Sequence, residues 1–384
     1  MPAHRIPSAI ACAMLVLLSG CMSTDLTPYQ ADSANALEPD EQRLWARSLE
    51  EENVLDQSGF RASLPACEAY LNRIVARLKP DPLPNGTTYH VRILIDPTIN
   101  AFALPNGVVY VHSGLITQLE NEAQLATVLG HELTHTTHRH GLKSLRKAKN
   151  ASAFYASITV GTYGLGAFIG GIGATASISG YSQDLERDAD QGGFDHMIAA
   201  GYDPRESVKT FVILRDEAKR SNIKEPFFFG SHPRLEERIA SFNALIQALP
   251  EARRAGDTET VAYNRELLPV FKLDAEAALQ AGDFEQVRIS VARIIAQTPG
   301  DASARLLLAE SLRKRNGPGD LKTARDSLES ITHDDPSLAA AWRELGLVQM
   351  KSGAQAESNR CFARYLELSP QAADRVYIES FIKP

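Results

Sequence analysis

The feature that most constrains this chain is the H-E-x-x-H motif at residues 131–135, which lies inside a stretch with helical periodicity. On an α-helix, residues four apart lie one turn apart on the same face, so His131 and His135 can reach one metal ion. Glu132 follows the first histidine directly, where its carboxylate can reach a water molecule on that ion. This pattern is typical of a hydrolytic site in which two histidines bind Zn²⁺ and a glutamate acts as general base.

Apolar residues around the motif predict a largely buried helix. Asn121 is a suitable N-cap, and Glu122 is favourable in the first turn, where the helix dipole is positive. The pattern predicts a helix that continues past His140, with Gly141 as a possible break. The residues that bury one side of this helix are Leu125, Val128, Leu129 and Leu133.

Two strands are predicted before this helix. Residues 89–95 alternate and are rich in β-branched side chains, and a second strand over 108–112 follows an Asn-Gly turn signal. Two strands at this point indicate a small sheet. Its edge could bind an extended peptide by strand addition, or the strands could serve only to close the core.

The third metal ligand is not evident from the motif, because a hydrolytic zinc site needs three protein ligands and one open position. Downstream candidates are carboxylates within residues 186–190, together with His138, His140, His196 and His232. His138 lies two helical turns beyond His131, about 10 Å away, which is too far to share the ion. His138 and His140 are therefore predicted to lie at the surface or to orient a ligand. The alternative is a histidine-rich tract that binds metal without catalysis.

The N-terminus has the pattern of a secretory signal. An apolar run over residues 10–18, too short to cross a bilayer, is followed by Leu18-Ser19-Gly20-Cys21. These residues resemble the bacterial lipobox, which implies that residues 1–20 are removed and Cys21 is lipidated. Met22 after the cysteine implies an outer-membrane anchor that faces the periplasm. A simple secretory signal or a buried helix is the alternative. Residues 21–38 have the composition of a flexible tether.

Overall composition is that of a folded protein with two domains. The chain has 384 residues, 44% of them hydrophobic and 23% charged, with a net charge of −7 and no basic block that would indicate nucleic-acid binding. After removal of the signal and lipidation of Cys21, only Cys67 and Cys361 remain. They could pair in an oxidising compartment, but two separate buried thiols are the preferred interpretation.

The segment over residues 150–183 has no charged residue and seven glycines. We expect a pair of short helices that covers the active site, with a transmembrane segment as the alternative. Beyond about residue 253, Gly282 precedes Pro299 by 17 residues, and Gly353 precedes Pro370 by the same interval. This spacing predicts three tetratricopeptide helix pairs over residues 262–376. A plain helical bundle is the alternative.

Four sequence blocks together resemble one family of zinc metallopeptidases. They are residues 100–107, residues 122–140, the E-x-x-A-D sequence at 186–190, and His232-Pro233 followed by Arg238. The family includes the CaaX prenyl endopeptidases, the heat-shock protease HtpX and the periplasmic BepA-like proteases. The helical repeats at the C-terminus are similar to the BepA-like branch.

The resemblance implies a role for each matching residue. It implies that Glu186 is the third ligand of one Zn²⁺ per chain and that Asp190 orients a ligand histidine. His232 and Arg238 would stabilise the oxyanion or hold the substrate carbonyl. His232 could instead be a fourth ligand or a helix cap. The strand beside the cleft, which would bind the substrate, corresponds to Asn100, Ala101, Phe102 and Ala103.

Taken together, these patterns predict an α+β fold. A mostly helical, gluzincin-like zinc-peptidase domain with a small sheet spans residues 39–250, and an all-α repeat domain spans 262–376. The predicted protein is an outer-membrane-anchored, periplasm-facing zinc metalloendopeptidase. Its expected partners are unfolded or misassembled protein substrates, the outer-membrane assembly machinery and, through the lipid, the membrane. The alternative function is a repeat-based chaperone or assembly adaptor whose metal site is mostly latent.

Overall fold

The computed structural model describes residues 25–30, 37–147, 181–220 and 235–382. Its architecture is mostly helical with one three-stranded sheet, so the α+β prediction is confirmed. The strands are β1 (His90–Leu94), β2 (Ala101–Ala103) and β3 (Val108–His112). β3 lies in the centre, parallel to β1 and antiparallel to β2, and all five of its residues are buried. β2 is therefore an edge strand of this sheet.

Eight α-helices accompany the sheet in the described part of the first 250 residues. They are α1 (Pro39–Asp56), α2 (Pro65–Leu78), α3 (Ser113–Gln118), α4 (Glu122–Thr137), α5 (His140–Lys147), α6 (Gln183–Ala199), α7 (Arg205–Arg220) and α8 (Leu235–Ala248). All sixteen residues of α4 are buried, because α2, α6, α7 and the sheet all pack against it. α4 is thus the central helix of this region.

Helix α4 begins as predicted but ends earlier. The Asn121 side chain accepts a hydrogen bond from the Gln124 backbone N–H at 3.0 Å and caps the N-terminus. The prediction of a continuous helix past His140 is wrong. The chain leaves the helix after Thr137, and Arg139 adopts a left-handed conformation with φ of 59°. A new helix, α5, begins at His140, so this histidine does not continue the helical face of His131 and His135.

Helices in the C-terminal part of the chain follow one another as antiparallel pairs. The segments are α9 (Thr260–Glu266), α10 (Leu268–Ala281), α11 (Phe284–Gln297), α12 (Ala302–Arg315), α13 (Asp320–Asp334), α14 (Ala339–Lys351), α15 (Gln355–Leu368) and α16 (Arg375–Glu379). Helices α10 with α11, α12 with α13, and α14 with α15 form three pairs, and each pair packs on the next. Gly282, with φ of 76°, ends α10 and allows the tight reversal into α11.

A buried carboxylate joins the first of these pairs to the region around the sheet. Asp274 of α10 accepts hydrogen bonds from Ser113 Oγ at 2.7 Å, Gln286 Nε2 at 2.6 Å and Ser290 Oγ at 2.8 Å. Burial raises the pKa of Asp274 to about 6, against the effect of these hydrogen bonds. The hydrophobic core continues across this junction, from Leu71 through Leu115 to Phe271.

The N-terminal segment 25–30 packs against the body, although the composition predicts a flexible tether there. The Tyr29 backbone N–H donates to the Thr137 carbonyl at 3.0 Å, and its hydroxyl donates to Glu41 at 2.6 Å. Leu26 lies in an apolar cluster with Leu44 of α1. Two apolar side chains in a polar segment therefore fix it beside the C-terminal end of α4.

The remaining predictions concern cysteine pairing, membrane spans and several segments outside the described ranges. Cys67 and Cys361 are free and buried, which confirms the interpretation as separate thiols. Within the described ranges, no helix has both the length and the apolar character required to cross a bilayer. The signal peptide, Cys21, residues 150–180 of the glycine-rich segment predicted to cover the site, and His232 lie outside the described residues.

Candidate metal centre

The site is built where α4 and α6 cross at very short distance. Three glycines form the contact: Gly130 on α4, and Gly192 and Gly193 on α6. A Cβ atom on Gly193 would lie 2.7 Å from the backbone nitrogen of His131 and 2.8 Å from the carbonyl carbon of Gly130. Only glycine fits at this position, and the close approach brings side chains of α6 over the histidines of α4.

Three buried side chains converge above this crossing. His131 Nε2 lies 3.0 Å from His135 Nε2 and 3.5 Å from Glu186 Oε2, and His135 Nε2 lies 3.6 Å from Glu186 Oε1. The three residues are at most 5% exposed. Zinc bonds of 2.0–2.2 Å in a tetrahedral site place ligand atoms roughly 3.3–3.6 Å apart. Two of the three distances lie in this range and the third is shorter, and the donor set, two imidazoles and one carboxylate, is one that binds zinc.

The other ring nitrogen of His131 faces a buried ion pair. His131 Nδ1 lies 2.9 Å from Asp190 Oδ1, and the Arg238 guanidinium donates two hydrogen bonds to the same carboxylate. The Arg238 guanidinium also lies over the Phe211 ring, 4.2 Å from its centroid. A histidine that binds metal through Nε2 carries its hydrogen on Nδ1, and Asp190 is placed to accept it.

The other ring nitrogen of His135 faces a second set of residues. His135 Nδ1 lies 2.9 Å from His140 Nδ1, and His140 Nε2 lies 3.0 Å from Asp188 Oδ2. His138 Nδ1 lies 2.6 Å from the same Asp188 oxygen. Burial lowers the pKa of His140 to about 4, although the hydrogen bond to Asp188 acts in the opposite direction. The Tyr181 ring stacks on His135 with 4.0 Å between centroids.

Glu132 links the metal centre to the edge of the sheet. Its Oε2 accepts a hydrogen bond from the Ala103 backbone N–H at 3.1 Å. The Leu104 N–H donates instead to Val108 of β3, and the Asn100 carbonyl accepts from His112 of β3. Because backbone groups alternate in direction along a strand, Ala103 presents both its N–H and its carbonyl to the side away from β3. The outer edge of β2 therefore faces Glu132.

The four residues predicted to form the substrate strand have different environments. Asn100 and Ala101 are buried, and Phe102 stacks on Tyr110 of β3 with 5.3 Å between ring centroids. Ala103 is half-buried and borders a small cavity beside His135, with Trp45 and Tyr181 in its walls. Of the four, Ala103 is the residue that contacts Glu132, the predicted general base.

The structure brings together seven residues singled out in the sequence: His131, Glu132, His135, Glu186, Asp190, Arg238 and Ala103. Arg238 is only 5% exposed and is bonded to Asp190, so its observed partner is a carboxylate on α6, whereas the resemblance implied the substrate. Sequence reasoning missed the specific contacts of His140 and Asp188 and the glycine crossing. Adjacent Gly192 and Gly193, soon after E-x-x-A-D, were an available signal for a close helix contact.

Comparison with known proteins gives one family and several relatives. The model of Peptidase family M48 matches residues 65–246. A provisionally named beta-barrel assembly-enhancing protease of Vibrio cholerae serotype O1 is 30% identical over 226 residues, which cover 56% of this chain and 46% of that protein. The beta-barrel assembly-enhancing protease of Escherichia coli K12 is 28% identical over 186 residues, covering 46% of this chain and 38% of that protein.

A further relative is a mitochondrial protein. The mitochondrial metalloendopeptidase OMA1 of Schizosaccharomyces pombe is 29% identical over 192 residues, covering 49% of this chain and 55% of that protein. The chain thus spans less than two thirds of the length of each of these relatives. The family match, together with side-chain groups that could hold a metal ion, supports zinc as the cofactor of this chain. Residues 65–246, just under half of the chain, therefore match the model of peptidase family M48.

Proposed function

We propose that this chain is a zinc-dependent endopeptidase in which His131, His135 and Glu186 bind one Zn²⁺. The observation that carries the proposal is the convergence of three ligand atoms, 3.0–3.6 Å apart, between two buried helices of an M48 domain. When bound, zinc polarises the scissile carbonyl and lowers the pKa of a bound water toward neutrality. The protein side chains supply the remaining steps.

Glu132 is proposed as the general base. The Ala103 N–H holds one oxygen of its carboxylate, which fixes the group between the metal ligands and the edge of the sheet. The carboxylate takes a proton from the attacking water and then passes it to the nitrogen of the leaving amine. A base held by a backbone N–H needs little reorganisation during these transfers.

Substrate is proposed to bind as an extended peptide along β2. The Ala103 carbonyl points to the same side as its N–H and can accept a hydrogen bond from a substrate N–H. A peptide in this position would place a carbonyl beside Glu132, and the cavity next to His135 would accept one substrate side chain. Peptide recognition through backbone groups is compatible with many substrate sequences.

Arg238 is proposed to position His131 through Asp190. The guanidinium donates to both oxygens of the Asp190 carboxylate, and one of these oxygens, Oδ1, also accepts the Nδ1 hydrogen of His131. A guanidinium nitrogen also lies 3.1 Å from His131 Nδ1. This geometry favours a positioning role over direct contact with the oxyanion. His232 is proposed as the substrate-facing residue of this pair on the basis of the family resemblance alone.

The proposed biological role follows the named relatives. Two of them are beta-barrel assembly-enhancing proteases, which supports a function in outer-membrane protein assembly for this chain. We therefore infer that it acts on unfolded or misassembled proteins in the periplasm, anchored to the outer membrane through lipid on Cys21. The three helix pairs within residues 262–376 are proposed to be tetratricopeptide repeats that bind substrate or the assembly machinery.

The direct test is cleavage of an unfolded protein by the wild type and by the Glu132→Gln variant. We expect cleavage by the wild type, loss of at least about 10²–10⁴-fold in the variant, and the same zinc content in both. Glutamine keeps the size of the side chain and its ability to accept from Ala103. Full activity in the variant would exclude Glu132 as the base. A zinc-loaded wild type that binds unfolded proteins and cleaves none would favour the adaptor function.

A further inference from the structure

His135 has a polar environment that differs from that of His131. His131 faces the Asp190 carboxylate directly, whereas His135 faces a third histidine, His140, which in turn contacts Asp188. The contact between the two imidazoles joins Nδ1 to Nδ1 at 2.9 Å, which is hydrogen-bonding distance. Since two nitrogens at this distance share one hydrogen, one ring must donate and the other accept.

Metal binding decides the direction of this hydrogen bond. His135 offers its Nε2 to the metal, because that atom lies 3.0 Å from His131 Nε2 and 3.6 Å from Glu186. The lone pair of Nε2 must then be available, so the hydrogen of the neutral ring lies on Nδ1. His135 therefore donates and His140 accepts at Nδ1. The hydrogen of His140 lies on Nε2, where Asp188 Oδ2 accepts it at 3.0 Å.

We propose that His140 and Asp188 are positioning residues that hold His135 in the tautomer required for zinc binding. The proposal rests on the zinc site proposed above. A carboxylate that acts through an intervening imidazole increases the basicity of the ligand and fixes the plane of its ring. Tyr181, stacked on the His135 ring, restricts the same plane from one face.

The backbone places His140 for this contact. A continuous helix would carry His140 further from His135 along the axis, but left-handed Arg139 interrupts it and starts α5 at His140. The His140 side chain is completely buried as a result. Arg139 is fixed in turn by two hydrogen bonds to Glu41 of α1. An uncommon backbone conformation at a non-glycine residue is thus stabilised beside the metal centre.

His138, His140 and Asp188 also have the spacing of a possible second metal site. We favour the hydrogen-bond chain, because His138 and His140 both contact one oxygen of Asp188, as two N–H donors would. A metal on His140 Nε2 would also move the hydrogen of that ring to Nδ1, facing His135. His135 would then have to accept there and would lose the Nε2 lone pair that zinc requires. His140 therefore cannot both accept the His135 hydrogen at Nδ1 and bind a second metal through Nε2.

The test compares His140→Phe, Asp188→Ala and the matched control His138→Phe with the wild type, all as full-length protein. Phenylalanine keeps a ring of similar size at either position. His140 belongs to the hydrogen-bond chain that joins His135 to Asp188, whereas His138 does not. Zinc affinity is measured by competition with a chromogenic chelator, zinc stoichiometry by elemental analysis, and folding by thermal unfolding of the metal-free proteins. His140→Asn is included because its side-chain oxygen can accept near the position of Nδ1.

We expect one zinc per wild-type chain and zinc affinity reduced about 10–100-fold in His140→Phe and Asp188→Ala. His138→Phe should keep the wild-type affinity, and His140→Asn should recover only the part of the loss that depends on an acceptor at the Nδ1 position. If His140→Phe does not fold, Asp188→Ala, at a half-exposed position, decides the outcome.

Wild-type zinc affinity in both His140→Phe and Asp188→Ala would overturn the proposal. Two zinc ions per wild-type chain, with one lost in each of the three variants that lack a group of the cluster, would instead establish a second metal site. A wild type that binds no zinc would contradict the proposed function itself.

Discussion

Two helix crossings in this molecule depend on glycine in different ways. Between α4 and α6, Gly193 faces the backbone of Gly130 and His131, with 2.7 Å between an added Cβ and the His131 nitrogen. Between α14 and α15, Gly346 faces the ring of Phe362, with 2.5 Å between an added Cβ and a ring carbon. Both crossings are buried. In the first, a methyl group would meet main chain, and in the second it would meet a side chain.

The difference shows that the α14–α15 crossing can accommodate a small added group more easily than the α4–α6 crossing. A ring can rotate or shift when a methyl group is added, whereas two helix backbones can separate only as whole elements. Separation of α4 from α6 would also separate the histidines from Glu186, since the ligands lie on these two helices. The proposed zinc site therefore depends on a close contact between two helix backbones, whereas the C-terminal helix pairs depend on side-chain packing.

The largest effect is expected from Gly193→Ala. The added methyl group should force α4 and α6 apart, destabilise the fold by about 1–3 kcal/mol or more, and abolish tight zinc binding. Thermal unfolding of the metal-free protein and zinc titration measure the two consequences separately. A variant that keeps wild-type zinc affinity would show that the helix spacing does not control the ligand geometry.

Gly346→Ala is the matched control. It introduces the same methyl group into a buried crossing, but α14 and α15 contribute no residue to the metal cluster. We expect lower stability in the C-terminal helices and unchanged zinc affinity. Equal losses of zinc in the two variants would contradict the distinction between the crossings.

A smaller effect is expected at Asp274, where the two regions join. The pKa of Asp274 is raised to about 6 in the fold, from an ordinary value of 3.8, because the group is buried. Its contribution to stability is therefore fully present below about pH 4 and is lost as the pH rises through 6. By linkage, this loss is at most about 3 kcal/mol.

Asp274→Asn should remove this dependence. Denaturant unfolding of both proteins between pH 4 and 7.5 measures it, and the stability of the variant should increase relative to the wild type across this range. Any constant difference from altered hydrogen bonding with Ser113 cancels in that comparison. Parallel pH profiles would mean that folding does not raise the pKa of Asp274.

Sequence patterns predicted those parts of the site that depend on local spacing. The position of His131 and His135 on one helical face follows from a separation of four residues, and the N-cap at Asn121 follows from residue type. The strand over 90–94 follows from alternation, and the strand over 108–112 follows from the Asn-Gly turn signal before it. The nomination of Glu186, by contrast, came from family resemblance, because a contact between α4 and α6 has no local signature.

The remaining features depend on tertiary structure or on rare backbone conformations. His140 faces His135 only because Arg139 adopts a left-handed conformation, which is uncommon outside glycine and asparagine and has no signal in the sequence. The packing of residues 25–30 was missed since most of that segment is polar and only Leu26 and Tyr29 are buried. The partner of Arg238 was missed because it lies 48 residues away, on a different helix.

Glu186 and Glu132 are neighbours in the proposed metal centre, where Glu186 binds the zinc ion and Glu132 acts as the general base. The most direct test is the zinc content, by elemental analysis, of the wild type, Glu186→Gln and Glu132→Gln after equilibration with the same limiting zinc concentration. Both substitutions convert a buried carboxylate to an amide of nearly equal size. We predict one zinc per chain in the wild type and in Glu132→Gln, and little or none in Glu186→Gln. Equal zinc content in the two variants would contradict the claim.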